Sequence, residues 1–167
     1  MSQHNKYDVK VIKVVDGDTV DVDIDLGFGI TLTDERVRIM GIDTPESRTS
    51  DKVEDLFGEA AKARLKQLMK SGGKLITTED KHGEDMKGKF GRVLGDFEVY
   101  DAANDRWSKV TDILIQEGHA VAYFGGSKEE VQMKHMANRE KLLREGLIDQ
   151  TKYDKAVALM EKRNAKK

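Results

Sequence analysis

From Val9 to Ile39 the apolar positions recur mainly at every second residue, the period of a half-buried strand. Val9, Val11 and Val14-Val15 form a first run, and Asp16-Gly17-Asp18-Thr19 follows with turn chemistry. Val20, Val22, Ile24 and Leu26 then alternate with Asp21, Asp23 and Asp25. Gly27 and Gly29 break that run, and Ile30, Leu32, Val37 and Ile39 make a third strand. At Asp55 the period turns helical: Phe57, Ala61, Leu65 and Leu68 share a stripe through Lys70, with Lys62 and Lys66 outside. Leu75–Thr78 and Val93–Tyr100 read as two more strands on either side of the polar segment from Glu79 to Gly91. Val110–Glu117 reads as a short helix stopped by Gly118. Ser127 with Glu130 forms a capping box for a longer helix to about Arg144. A last amphipathic stretch covers Lys152–Lys162.

Five strands with a helix after the third predict an α+β protein built on a five-stranded barrel, of which the OB-fold is the best-known type. Three helices pack outside it. No internal repeat or linker interrupts the pattern, so residues 7–149 form one domain. Residues 1–6 are expected to be a flexible N-terminus, and 150–167 a helical extension frayed at its Lys-rich end.

Composition narrows the function. The 167 residues are 38% hydrophobic and 36% charged, which gives a modest core under a densely charged surface. No run approaches the roughly 18 apolar residues of a membrane span. The polar stretch from Met1 to Lys10 lacks the apolar centre of a secretion signal, so a cytoplasmic protein is expected, a secreted mature form being the alternative. With no cysteine there is no disulfide and no thiolate ligand. The four histidines, at 4, 82, 119 and 135, show no zinc-ligand spacing. A net charge of -2 gives no global attraction to nucleic acid, so any polyanion must be held by a local basic patch or a bound cation. Nothing signals an oligomer, and a monomer is expected.

Two acidic motifs carry the candidate chemistry. Asp16-Gly17-Asp18-Thr19 sits at a strand junction, and Ile42-Asp43-Thr44-Pro45-Glu46 closes the third strand. Pro45, the only proline, holds Thr44 out of a helix as the chain leaves the strand. If Asp18, Asp43 and Glu46 met, their charges would repel unless a cation joined them, and oxygen ligands suit calcium or magnesium. Taken singly, each acid is equally an ordinary turn residue. The Asp21, Asp23 and Asp25 series reads as a solvated strand face and lacks the spacing of an EF-hand loop. Arg38 precedes Asp43 on the same run, and Gly91-Arg92 opens the last strand. A guanidinium fork can grip two phosphate oxygens at once. Arg36 and Arg38 share a strand face, and the local pattern does not choose between them.

The order DGDT, R-x-x-x-x-DTPE, Gly-Arg after a basic loop resembles the staphylococcal nuclease (thermonuclease) family. Gly58-Glu59-Ala60 in the first helix and Gly118-His119-Ala120-Val121-Ala122-Tyr123 after the second extend the likeness over roughly Tyr7 to Asp149. The resemblance implies an OB-fold nuclease that uses calcium to hydrolyse DNA and RNA, leaving 5′-hydroxyl and 3′-phosphate ends. By motif position it implies metal ligation by Asp18, Asp43 and the Thr44 carbonyl. It gives Glu46 the attacking water, and Arg38 and Arg92 the phosphate in the transition state. Lys89 and Tyr123 match positions that contact nucleotide phosphates. Phe90 and Gly125 stand where tyrosines are usual: the first removes a hydroxyl from the nucleotide pocket and the second implies weaker base stacking. The loop from Asp80 to Lys89 is longer than usual. The alternatives are a non-catalytic nucleic-acid-binding module on the same barrel and a calcium-binding structural protein.

Overall fold

A computed structural model describes residues 5–77 and 91–166. Strands β1 (Lys6–Asp16), β2 (Thr19–Gly27) and β3 (Ile30–Ile39) form the expected meander. A two-residue strand, β4 (Ile42–Asp43), leads to helix α1 (Lys52–Met69). Next come β5 (Gly73–Thr77), β6 (Val93–Asp101), β7 (Arg106–Lys109) and helix α2 (Val110–Glu117). The short β8 (Val121–Ala122) and helices α3 (Lys128–Arg144) and α4 (Gln150–Ala165) complete the order.

The sheet runs β3-β2-β1-β5-β6-β7, and β3 pairs again with β6. That second pairing is parallel, with Val37 opposite Val93, and it closes five strands into a barrel of the OB type. Register shifts between Val11 and Lys13 and between Val22 and Ile24 insert extra residues, and such bulges bend strands enough to coil a sheet onto itself. Val20, Val22, Val37, Leu75 and Phe97 fill the interior with no exposed surface. The α+β architecture expected from the pattern is therefore the one observed.

Helix α1 seals one flank of the barrel through Leu65 and Met69, with Leu68 packed beside them. Asp51 caps it, accepting from the Val53 and Glu54 amides. Ser127 caps α3 in the same way, and Gly118 ends α2 at φ 89°, in the left-handed region. A smaller cluster of Phe57, Leu142 and Ile148 ties α1 to α3. The stretch expected over Lys152–Lys162 is longer, and its inner face lies on α1 with the Tyr153 ring 6.0 Å from Phe57.

Three strands went unpredicted. β4 and β8 are a two-residue bridge and carry no period. β7 contributes Arg106, Trp107 and Lys109 to solvent, so no apolar alternation marks it. The basic loop Asp80–Lys89, with Lys81, Lys87 and Lys89, and Phe90 after it lie outside the described residues.

Candidate active site

The two acidic motifs meet because a glycine lets them. Gly17, in the β1–β2 turn, lies under Thr44 and against α1: a Cβ there would sit 2.9 Å from the Ala61 Cβ and 3.4 Å from the Thr44 side chain. Asp16 accepts a hydrogen bond from the Ser47 hydroxyl, which fastens the turn to the loop beyond Glu46. Arg48 adds a weaker contact, 3.6 Å from Asp16 Oδ1. On the other side of that loop, Gly58 of α1 is pressed against the Glu46–Ser47 backbone, and a Cβ there would be 2.3 Å from the Glu46 carbonyl oxygen.

Arg38 spans the junction. Its Nη2 is 3.3 Å from Asp18 Oδ2 and 3.3 Å from the Ile42 carbonyl oxygen, and Nη1 donates to the Ile39 carbonyl. Asp18 is held further by Thr19, whose hydroxyl donates to Oδ1 at 2.8 Å. Arg36, on the same strand face, is committed elsewhere: Nε and Nη2 reach Asp21 Oδ1 and Oδ2 at 2.8 and 3.1 Å. That fork corrects one expectation. Asp21 is not on a solvated face but buried, with Arg36 opposite it on the next strand. Asp23 and Asp25 bind the Asp34 and Gly27 amides, so the series serves the hairpin.

Asp43 pairs with Val121 across the β4–β8 bridge, and its Oδ2 lies 2.6 Å from Nε2 of His135 on α3. The carboxylate can only accept, so Nε2 carries the proton of this bond. Thr44 is buried and Glu46 exposed. Glu46 donates its amide to Glu54 Oε1 at 3.4 Å, and its carboxylate makes no hydrogen bond among the described residues. The three acids do not converge: among the described residues no group of three or more His, Cys, Asp and Glu side chains stands together as a ligand set. Like charges repel, and Asp18 and Asp43 have each turned to a nearby donor instead. The candidate ligands Asp18, Asp43 and the Thr44 carbonyl are all oxygen donors, with Asp18 engaged here by Arg38 and Asp43 by His135. That chemistry fits a hard divalent ion.

Arg92 is half-buried immediately before β6, the strand that runs beside β3. Tyr123 follows β8, donates its amide to the Gly41 carbonyl at 2.9 Å and exposes 40% of its surface. Phe124 beside it is almost fully exposed and lies against Gly41. Lys89 lies outside the described residues. Sequence reasoning missed His135. Its available signal was the stripe His135, Asn138, Leu142 at helical spacing, in which Asn138 bonds the Ala120 carbonyl and Leu142 is buried.

His119, in the segment that leads into β8, is buried, and its Nδ1 has no hydrogen-bond partner among the described residues. Burial holds its imidazole below the ordinary value, Arg64 adding to this and Glu117 opposing it. A depressed histidine binds its proton more weakly in the folded chain than in the unfolded one. Stability from this group is therefore full above the unfolded value of about 6.5 and declines as pH falls from there toward the depressed value. His119→Leu is expected to gain on the wild type as pH falls below about 6.5, which urea melts of both proteins at two pH values would measure. A stability difference that does not change with pH would refute the assignment.

Comparison with known proteins joins these observations. The family described as staphylococcal nuclease homologue matches residues 36–149, a span that holds Arg38, Asp43, Thr44, Glu46, Arg92 and Tyr123. The chain is 28% identical over 142 residues to micrococcal nuclease of Shigella flexneri, across 83% of this chain and 71% of that protein. It is 35% identical over 117 residues to the SPbeta prophage-derived endonuclease YokF of Bacillus subtilis (strain 168), across 70% of this chain and 34% of YokF. The chain belongs to the staphylococcal nuclease homologue family.

Proposed function

We propose that this chain is a calcium-dependent nuclease that hydrolyses phosphodiester bonds of DNA and RNA, acting as a monomer and leaving 5′-hydroxyl and 3′-phosphate ends. The observation that carries the reading is the bridge made by Arg38. One guanidinium nitrogen contacts both Asp18 and the Ile42 carbonyl, so the cation and the two acidic motifs occupy one junction. Family membership and the names of two relatives, one a nuclease and one an endonuclease, support the reaction class.

Asp18, Asp43 and the Thr44 carbonyl would hold the ion. A bound calcium would supply positive charge to a phosphate oxygen and let an anionic substrate enter an acidic junction. Glu46, exposed at the rim, orients the attacking water and takes its proton at the carboxylate. Water adds to phosphorus, the bond from phosphorus to the 5′-oxygen breaks, and that oxygen takes a proton from solvent to leave as a hydroxyl, Glu46 returning its own proton to solvent. Arg38 and Arg92 stabilise the charge that builds on the phosphate as this happens. His135 fixes one oxygen of Asp43, an outer contact of the type that orients metal ligands.

The test is a plasmid and RNA degradation assay with end analysis of the products, run with calcium, with magnesium and with chelator. Cleavage is expected with calcium and is abolished by chelator, with 3′-phosphate termini. Binding of nucleic acid without cleavage in any of these conditions would instead make the chain a non-catalytic module.

A further inference from the structure

The C-terminal helix lies beyond the family match, yet it is fastened to the loop that leads from Glu46 into α1. Arg163 Nη1 donates to the Ser50 carbonyl at 2.8 Å, and the Lys52 amide donates to Met160 Sδ at 3.5 Å. Tyr153 packs edge-on against Phe57, and Ala156 is buried. At about 100° per residue, Tyr153, Ala156, Val157 and Met160 face inward. Lys152, Lys155, Lys162, Arg163 and Lys166 fall in a second arc of roughly 100° on one flank. Asp154 and Glu161 lie on the opposite flank. All four lysines are exposed, and none is ion-paired among the described residues.

We infer that this flank is a binding surface for the phosphate backbone of a polynucleotide, a grip that carries the strand away from the cleavage point. Three observations converge on a polyanion. A chain of net charge -2 concentrates five cations against two acids between Gln150 and Lys166. The cations are sorted to one side of the helix, where mixed charges would serve solubility equally well. The bond from Arg163 to Ser50 sets that side next to a residue only four positions beyond Glu46. Tyr153, Ala156, Val157 and Met160 are spent on the inner face. Leu159, 57% exposed within the basic arc, is the one large apolar side chain the helix leaves to solvent, too little for insertion into a lipid surface. The stripe is about 20 Å long at 1.5 Å per residue, enough to follow several phosphates.

The inference rests on the nuclease reading, and the experiment separates the two. The full chain and a variant with Lys152→Gln, Lys155→Gln, Lys162→Gln and Lys166→Gln are compared for binding a labelled oligonucleotide of about 30 nucleotides, in chelator, across a salt series. Arg163 is left in place because it holds the loop. The variant is expected to bind about tenfold or more weakly near 0.1 M salt, with the slope of log affinity on log salt shallower by about 2 to 3. In calcium its KM for that oligonucleotide should rise about tenfold, while its KM for a single chromogenic nucleoside phosphodiester moves less than about twofold. The matching Lys→Arg variant keeps the charge and should keep the wild-type slope. An unchanged salt slope overturns the inference, as does loss of binding to anionic vesicles with binding to the oligonucleotide unaltered. If the wild type cleaves neither substrate, the nuclease reading falls, and the salt slope still decides the surface.

Discussion

Alanine in place of Arg38 is expected to slow DNA cleavage at least about a hundredfold, and alanine in place of Arg92 to do the same, with both proteins still folded. The magnitude comes from what a preorganised donor contributes where charge develops, about 3 kcal/mol. Arg38 is the sharper test, because the structure gives it a second task. Its side chain is 24% exposed and links Asp18 to two main-chain carbonyls, so its removal also leaves a half-buried carboxylate without its cation. Charge-assisted bonds of this kind contribute roughly 1.5–3 kcal/mol, so some loss of stability accompanies Arg38→Ala. Arg38→Lys separates the two effects. Lysine restores the charge near Asp18 but has no fork with which to reach both carbonyls and a phosphate. It should recover most of the melting temperature while kcat stays at least about tenfold down. Near-normal turnover by the Arg38→Ala and Arg92→Ala proteins would remove both residues from the mechanism.

The legible part of this protein is the part governed by short-range physics. Period-two alternation gave the meander because one side of each strand faces the barrel interior, and Val20 and Val22 are buried as that requires. Gly118 and Ser127 mark helix ends because left-handed backbone and side-chain capping are local needs. The parts that escaped depend on partners far away in the chain. Asp43 and His135 are 92 residues apart, and no window of sequence holds both. Asp21 alternates like a solvated residue but is buried, with Arg36 of the next strand opposite and bonded to it. The choice between Arg36 and Arg38 shows the same limit. They share a face and a residue type, and what distinguishes them is which acid lies opposite: Asp21 for one, Thr19 with Asp18 beside it for the other. The family resemblance selected Arg38; the geometry separates the two by partner, with Arg36 on Asp21 and Arg38 between Asp18 and the Ile42 carbonyl. The expected convergence of three acids has a similar explanation. Spacing brings the two loops together through Gly17, but Asp18 is then taken by Arg38 and Thr19 and Asp43 by His135, while Glu46 stays exposed.

Gly58→Ala is expected to cut kcat by up to about a hundredfold, although alanine is the better helix former by about 1 kcal/mol. The reason is the closeness of α1 to the loop that carries Glu46. A Cβ at this position would lie 2.3 Å from the Glu46 carbonyl oxygen, 2.5 Å from its carbon and 2.6 Å from the Ser47 amide nitrogen. Backbone atoms cannot swing aside as a flexible side chain can, so the loop must retreat by about 1 Å to regain ordinary contact. Misplacement by that distance is enough to cost about two orders of magnitude when the displaced group handles the attacking water. Overpacking also destabilises, by about 1–3 kcal/mol, which exceeds the gain in helix propensity. A melt alone therefore cannot locate the damage, and the decisive measurement is a double-mutant cycle with Glu46→Gln. If Gly58 acts by setting where Glu46 stands, Gly58→Ala should cost little further rate once the Glu46 carboxylate is gone. Equal losses in both backgrounds would mean that the glycine supports the fold and not the position of Glu46.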